Sequence, residues 1–299
     1  MTNENENKGI NLTDEISKFL ANSFQSSDIK EKIKELPKQY LNNDEDSVFE
    51  EKILIGCTNL EKEEYLKQIK PSIVLFSDNL KTKGILKTAN FFDKSIGSGK
   101  SSIKLEQIPK DFQDFLSQLQ ILISRQVLIV NFMPLLEKGS SALSIDQKMY
   151  ILLNSYRSIT ELVSKLLFDV CISIAKKIKL DSEDERSKII QQIKEDRMTL
   201  GDLIEFLKKF EDSISQEENR ISGVISNFID VELRNSIAHE RYSTEINVYF
   251  NSTKPIKYDD KEIITKILLV NRIFAALHHY LYEREFIALA KKYSSLFFK

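Results

Sequence analysis

Ser144–Lys179 reads SIDQKMYILLNSYRSITELVSKLLFDVCISIAKKIK. Its apolar positions Tyr150, Leu153, Ile159, Leu162, Val163, Leu166, Leu167, Val170 and Ile174 keep returning to one side of a 3.6-residue helix. The stretch predicts a long amphipathic helix, or two in line, with one face turned to a core. Composition points the same way. Eight Gly and five Pro in 299 residues are too few turn residues for a sandwich, a propeller or a nucleotide-binding α/β fold. Apolar residues at 41% and charged residues at 29% are those of a globular chain that buries a core. The expected class is mainly α.

Downstream, Arg186 to Glu195 predicts a second helix. Thr199 opens a third as an N-cap, with Asp202 at the acidic position of a capping box and Leu203, Phe206, Leu207 and Phe210 on its apolar face. Gln216 to about Glu240 predicts a fourth. Glu245–Asn251 then alternates Ile246, Val248 and Phe250 with polar neighbours, the period of a strand, and Lys254–Tyr258 is its expected hairpin partner. Asp259–Lys299 closes the chain as a long helix. The expectation is a helical bundle with a small β-like insertion and no internal repeat.

Upstream, Gly139-Ser140-Ser141 is the strongest linker signal, so the boundary is drawn there: 1–9 as a disordered leader, 10–142 as an N-terminal domain, 143–299 as a C-terminal helical domain. The N-terminal domain reads as mostly helical, with its topology left open. Leu12–Leu41 has helical periodicity, and Asp111–Leu136 is a long helix candidate with Pro109 near its start and Pro134 near its end. The short runs KILIGC (52–57) and PSIVLFS (71–77) fit a strand or a turn of buried helix equally well.

Forty-three basic and 45 acidic residues leave a formal charge of −2, so no strong overall field draws the chain to nucleic acid or membrane. The polar, acidic start at Met1–Lys8 is no secretory signal, and the apolar run Ile121–Leu136 is broken by Arg125, Gln126, Asn131 and Pro134. Cys57 and Cys171 have no partner at disulfide-framework or zinc-ligand spacing. A cytoplasmic protein without a bound metal or cofactor is expected.

The residues that carry chemistry lie in Glu232–Tyr242, ELRNSIAHERY. On a helix Asn235 and His239 share a face, and Arg234 lies about a right angle and a half around the axis from His239. A fixed cation, an amide and an imidazole together suit phosphodiester cleavage. Arginine grips a phosphate with a planar fork of donors, and histidine titrates near neutrality and moves a proton.

Arg234-Asn235-Ser236-Ile237-Ala238-His239 resembles the R-x4–6-H motif of HEPN domains, including the polar residue that commonly follows the arginine. Met198–Ile204, MTLGDLI, resembles a TLGxLI segment found upstream of that motif, and Tyr156–Phe168, with Glu161 inside it, is similar to the family's first helix. The resemblance covers roughly residues 143–299. Nine arginines and three histidines give about 0.3 chance matches to the bare spacing, and Arg272 to His278 and His279 supplies one. Requiring Asn after Arg removes it, because Ile273 follows Arg272.

The resemblance implies a helical domain that acts as a metal-independent endoribonuclease of the toxin or abortive-infection type, with the RNA 2′-OH attacking its own phosphorus. Arg234, His239 and Asn235 would be catalytic, and Glu161 and Tyr242 supporting. A homodimer bringing two motifs face to face and a regulatory or antitoxin protein are the implied partners beside RNA. The alternative within the family is a non-catalytic scaffold using the same helix face for dimerisation or partner binding. A helical adaptor outside the family, with Arg234 and His239 as a helix-terminal pair, is the third reading. One feature departs: toxins paired with nucleotidyltransferases carry a tyrosine two after the histidine, where this chain has Arg241, and Tyr242 comes one later.

Two further stretches carry weaker signals. Ile96–Ser101, IGSGKS, lacks the first glycine of a phosphate loop, since Lys94 stands there, and reads as a flexible loop. Around it, six lysines from Lys81 to Lys104 against Asp93 make a local +5, with Phe91 and Phe92 interleaved. Cations with aromatics suit single-stranded RNA, which makes Lys87, Lys94 and Lys100, together with Arg241, RNA-binding candidates. The plainer reading is a solvated loop with its two Phe residues tucked into the core.

Overall fold

In the computed structural model, residues 45–54, 57–85, 143–177, 191–192, 198–214, 218–243, 248–250 and 255–284 are described. Helices span Glu45–Ile53 (α1), Asn59–Glu64 (α2), Lys70–Thr82 (α3), Ile145–Lys177 (α4), Leu200–Ile214 (α5), Ile221–Phe228 (α6), Val231–Ala238 (α7) and Asp260–His278 (α8). Tyr65–Ile69 and His279–Glu283 are π-helical turns. The described chain is mainly α. Three short strands, Tyr242–Ser243 (β1), Val248–Phe250 (β2) and Pro255–Lys257 (β3), make an antiparallel sheet in the order β1-β2-β3. Val248 faces Lys257 and Phe250 faces Pro255 across β2 and β3. Among the described residues no helix is long and apolar enough to cross a membrane.

The described residues fall into two compact groups. One holds 45–54, 57–64 and 277–284; the other holds 65–85 and the residues from 143 to 276. The grouping follows no single cut in the sequence, because Tyr65–Ile85 joins the larger group. The Gly139–Ser141 linker, the 1–9 leader and the helix candidates at 12–41 and 111–136 lie outside the described residues.

In the larger group α4 is the spine. It is one unbroken helix of 33 residues, which settles the choice between one helix and two in line. Its buried face carries Leu152, Tyr156, Ile159, Val163, Leu167 and Ile174, and it packs on α5 and α7. Each aliphatic chain so buried contributes roughly 1.5–3 kcal/mol. Phe76 of α3 meets Phe210 of α5 edge to face at 6.2 Å. PSIVLFS is therefore helical, with Pro71 in the first turn where its missing N–H costs nothing.

Helix starts follow local capping chemistry. Ser144 and Gln147 exchange reciprocal bonds before α4, Thr199 and Asp202 before α5, and Asp259 and Glu262 before α8. Arg220, ahead of α6, makes no side-chain cap. Buried Glu211 of α5 replaces it, accepting from the Ile221 N–H at 2.6 Å, the Ser222 N–H at 3.2 Å and the Ser222 hydroxyl. Burial raises the Glu211 carboxyl above its ordinary value, with these bonds opposing.

The helix expected from Gln216 to Glu240 is two helices. Ile229 is extended at φ −106° and ψ 116°, and Asp230 restarts the chain as the N-cap of α7. In the smaller group, His279 stacks on Phe49 with ring centroids 4.0 Å apart. Its Nδ1 lies 3.2 Å from Glu283 Oε2 and its Nε2 3.1 Å from Asp46 Oδ1. Glu283 Oε1 is 2.9 Å from His278 Nδ1, and Arg284 Nε is 3.4 Å from Asp46.

Candidate functional site

The motif occupies α7 and the turn behind it, and both ends are pinned. At the start, Asp230 Oδ1 accepts the Leu233 N–H at 2.8 Å, closing the first turn. Asp230 Oδ2 accepts the Tyr258 hydroxyl at 2.6 Å and lies 3.5 Å from Lys266 Nζ on α8. The Asp230 N–H donates to the Tyr156 hydroxyl on α4 at 2.8 Å. One carboxylate and one peptide N–H thus set the rotation of α7 against α4 and α8.

At the other end the helix closes as a Schellman motif. Arg241 N–H donates to Ser236 C=O at 2.7 Å and Glu240 N–H to Ile237 C=O at 3.1 Å. Glu240 takes the left-handed position at φ 53°, which glycine usually fills. His239 is the C-cap, and its ring is exposed at the helix terminus, where the dipole favours a cation.

Between these ends, Arg234 is half-buried. Its Nη2 forms an ion pair with Glu161 of α4, and its Nη1 donates to Asn235 Oδ1 at 2.9 Å. Its Nε is buried without a hydrogen-bond partner among the described residues. The structure therefore gathers Arg234, Asn235 and Glu161 into one polar set. His239 lies five residues along the chain from Arg234, at the exposed end of the same helix. Tyr242 opens β1 and is half-buried. Burial raises its phenol above the ordinary range, against a hydrogen bond with Asn154 and the charge of Arg157, while Tyr150 and Glu240 add to the rise. Arg241 is exposed.

Lys87, Lys94 and Lys100 lie outside the described residues. The competing match is interior: Arg272 is 7% exposed and His278 and His279 1% each, so no polymeric substrate reaches them. Tyr150, read from the sequence as part of the apolar face of α4, is exposed instead, and sequence reasoning did not single out Asn154 or Arg157 beside it. Their signal was available, since Tyr150, Asn154, Arg157 and Glu161 are spaced four, three and four apart on one stripe of α4. Among the described residues, no cluster of three or more His, Cys, Asp and Glu side chains is disposed to hold a metal ion.

Chemically, the arrangement offers a guanidinium of fixed orientation, an exposed imidazole and an amide within two turns of helix. Comparison of the chain with protein-family models, with curated proteins and with solved structures finds no match.

Proposed function

We propose that the chain is a metal-independent endoribonuclease of the HEPN type, a defence effector whose reaction centre is built on α7. The observation that supports it is a polar set of Arg234, Asn235 and Glu161 on the helix that ends in the exposed His239. In this reaction the RNA 2′-OH attacks its own phosphorus, the O2′–P bond forms and the P–O5′ bond breaks. The products are a 2′,3′-cyclic phosphate and a 5′-hydroxyl. His239 removes the 2′ proton or protonates the leaving oxygen, the general-base or general-acid role open to an exposed imidazole. Arg234 stabilises the pentacoordinate charge through guanidinium donors not taken by Glu161 and Asn235. Asn235 orients the guanidinium.

One imidazole per site leaves either the acid or the base unfilled. The working unit we propose is accordingly a two-fold dimer in which a second copy of the motif supplies the other proton carrier. RNA is the substrate, and a regulatory or antitoxin protein restrains the enzyme.

The test is cleavage of total cellular RNA by the full chain in EDTA. Wild type should yield cyclic-phosphate ends, while His239→Ala and Arg234→Ala should lose at least a hundredfold in rate with unchanged circular dichroism. Arg272→Lys should cleave normally where it folds. Loss of wild-type cleavage on chelation, or full activity in His239→Ala, would overturn the proposal. The Glu161–Arg234 pair also favours a second reading, a non-catalytic scaffold, because an arginine already neutralised by a carboxylate serves helix packing well. The same assay separates the two.

A further inference from the structure

Two contacts place α4 against the motif segment: Glu161 forms an ion pair with Arg234, and the Tyr156 hydroxyl meets the Asp230 N–H at 2.8 Å. Arg157 follows Tyr156 on α4 and stands about one turn before Glu161. On an ideal helix Tyr150, Asn154, Arg157 and Glu161 lie within about 60° of arc, so all four look toward the motif side.

The chemistry of this stripe differs from that of the motif itself. Arg234 is held by Glu161 and Asn235, which leaves only its remaining donors for the scissile phosphate. Arg157 is exposed, and among the described residues no carboxylate lies within ion-pair distance of it. About two turns nearer the start of α4, Tyr150 is 56% exposed, an aromatic ring left largely in water. Asn154 sits between them and donates to the Tyr150 carbonyl at 2.9 Å. A cation and an open aromatic face about 10 Å apart along the helix axis combine the two elements that hold single-stranded nucleic acid, charge for the backbone and a ring for a base.

We infer that Tyr150, Asn154 and Arg157 form a binding subsite for one nucleotide of single-stranded RNA, with Arg157 on its phosphate, Tyr150 stacked on its base and Asn154 bonding the base edge. The inference rests on the ribonuclease reading and names where the strand beside the scissile phosphate is held. A duplex is not accommodated, because its bases are stacked on one another and present no free face to Tyr150.

The experiment measures binding apart from cleavage. Fluorescence anisotropy of the full chain with a labelled, fully 2′-O-methylated single-stranded RNA uses a probe that lacks the attacking hydroxyl. Arg157→Ala should weaken binding about tenfold and lower the salt slope by about 0.7. Tyr150→Ala should weaken it about tenfold, while Tyr150→Phe should bind like wild type because the ring is kept. Lys208→Ala, on the exposed face of α5, is the control. Wild-type affinity in both Arg157→Ala and Tyr150→Ala overturns the subsite even if RNA is cleaved, as does equal affinity for the duplex form or no binding by wild type. Binding with this mutational pattern but no cleavage of natural RNA supports the subsite and removes the nuclease reading.

Discussion

Glu240 is an L-residue held in a left-handed conformation at the turn after His239. That backbone costs a non-glycine residue roughly 1 kcal/mol, and nothing in the Schellman hydrogen bonds requires a side chain there. Glu240→Gly should therefore stabilise the chain by about 0.5–1 kcal/mol in urea denaturation; a loss of stability would show that the Glu240 side chain holds the turn. The motif around it was legible because Arg234, Asn235 and His239 lie within six residues, where helical geometry alone fixes their relation. Glu161 comes 73 positions before Arg234, and its ion pair depends on how α4 packs against α7. The sequence offered it as a candidate and no more. Arg157 was overlooked for a related reason. A stripe of Tyr, Asn, Arg and Glu on a helix looks like an ordinary solvated face until a partner segment shows which way it points.

At the scale of elements, α7 depends on Asp230 more than on its own short length. Eight residues are too few to hold a helix by propensity, so its start must be bonded from outside. Asp230→Ala removes the cap on Leu233 and the carboxylate that the Tyr258 hydroxyl donates to. The expected loss is about 2 kcal/mol, roughly half from each. Asp230→Asn keeps an oxygen for the cap and should lose about half as much. If the two variants prove equally stable in urea, the cap is not what starts α7. The break ahead of Asp230 was invisible in the sequence because apolar residues continue across it, with Ile225, Ile229 and Leu233 each four apart. Periodicity reports the buried face and is blind to one extended residue within it. The helix starts were better marked. Ser144-x-x-Gln147, Thr199-x-x-Asp202 and Asp259-x-x-Glu262 each state their cap within four residues, whereas Glu211 capping α6 from ten residues away carries no such signature.

For the whole molecule, the joining of the chain's early and late described residues rests on buried charge. Asp46, His279 and Glu283 form one chain of contacts within the smaller group, beside His278 and Arg284. The sequence shows His278 and His279 only as a chance match to the motif spacing, since the carboxylate that meets His279 from α1 lies 233 positions away. Burial works against the charge of His279, but hydrogen bonds to Asp46 and Glu283 outweigh it and raise its pKa above 6.5. Burial likewise opposes the Glu283 carboxylate, yet the two histidines bring it down to about 2. The signs then set a window. A raised histidine adds stability that is complete below 6.5 and fades as pH climbs through its folded value. A depressed carboxyl adds stability that is complete above 4.5 and fades as pH falls toward about 2. The unfolding free energy of the full chain should consequently be greatest between about pH 4.5 and 6.5 and decline on both sides. Other ionisable groups add their own slopes, so the informative quantity is the difference between wild type and His279→Gln across pH 3 to 9. Glutamine keeps a donor toward Asp46 or Glu283 but cannot titrate. The variant should be less stable at pH 5.5, and its deficit should shrink steadily above neutrality as wild-type His279 sheds its proton. A deficit that stays constant from pH 5.5 to 9 would mean that His279 is held there as a neutral ring and that Asp46 and Glu283 do not set its charge.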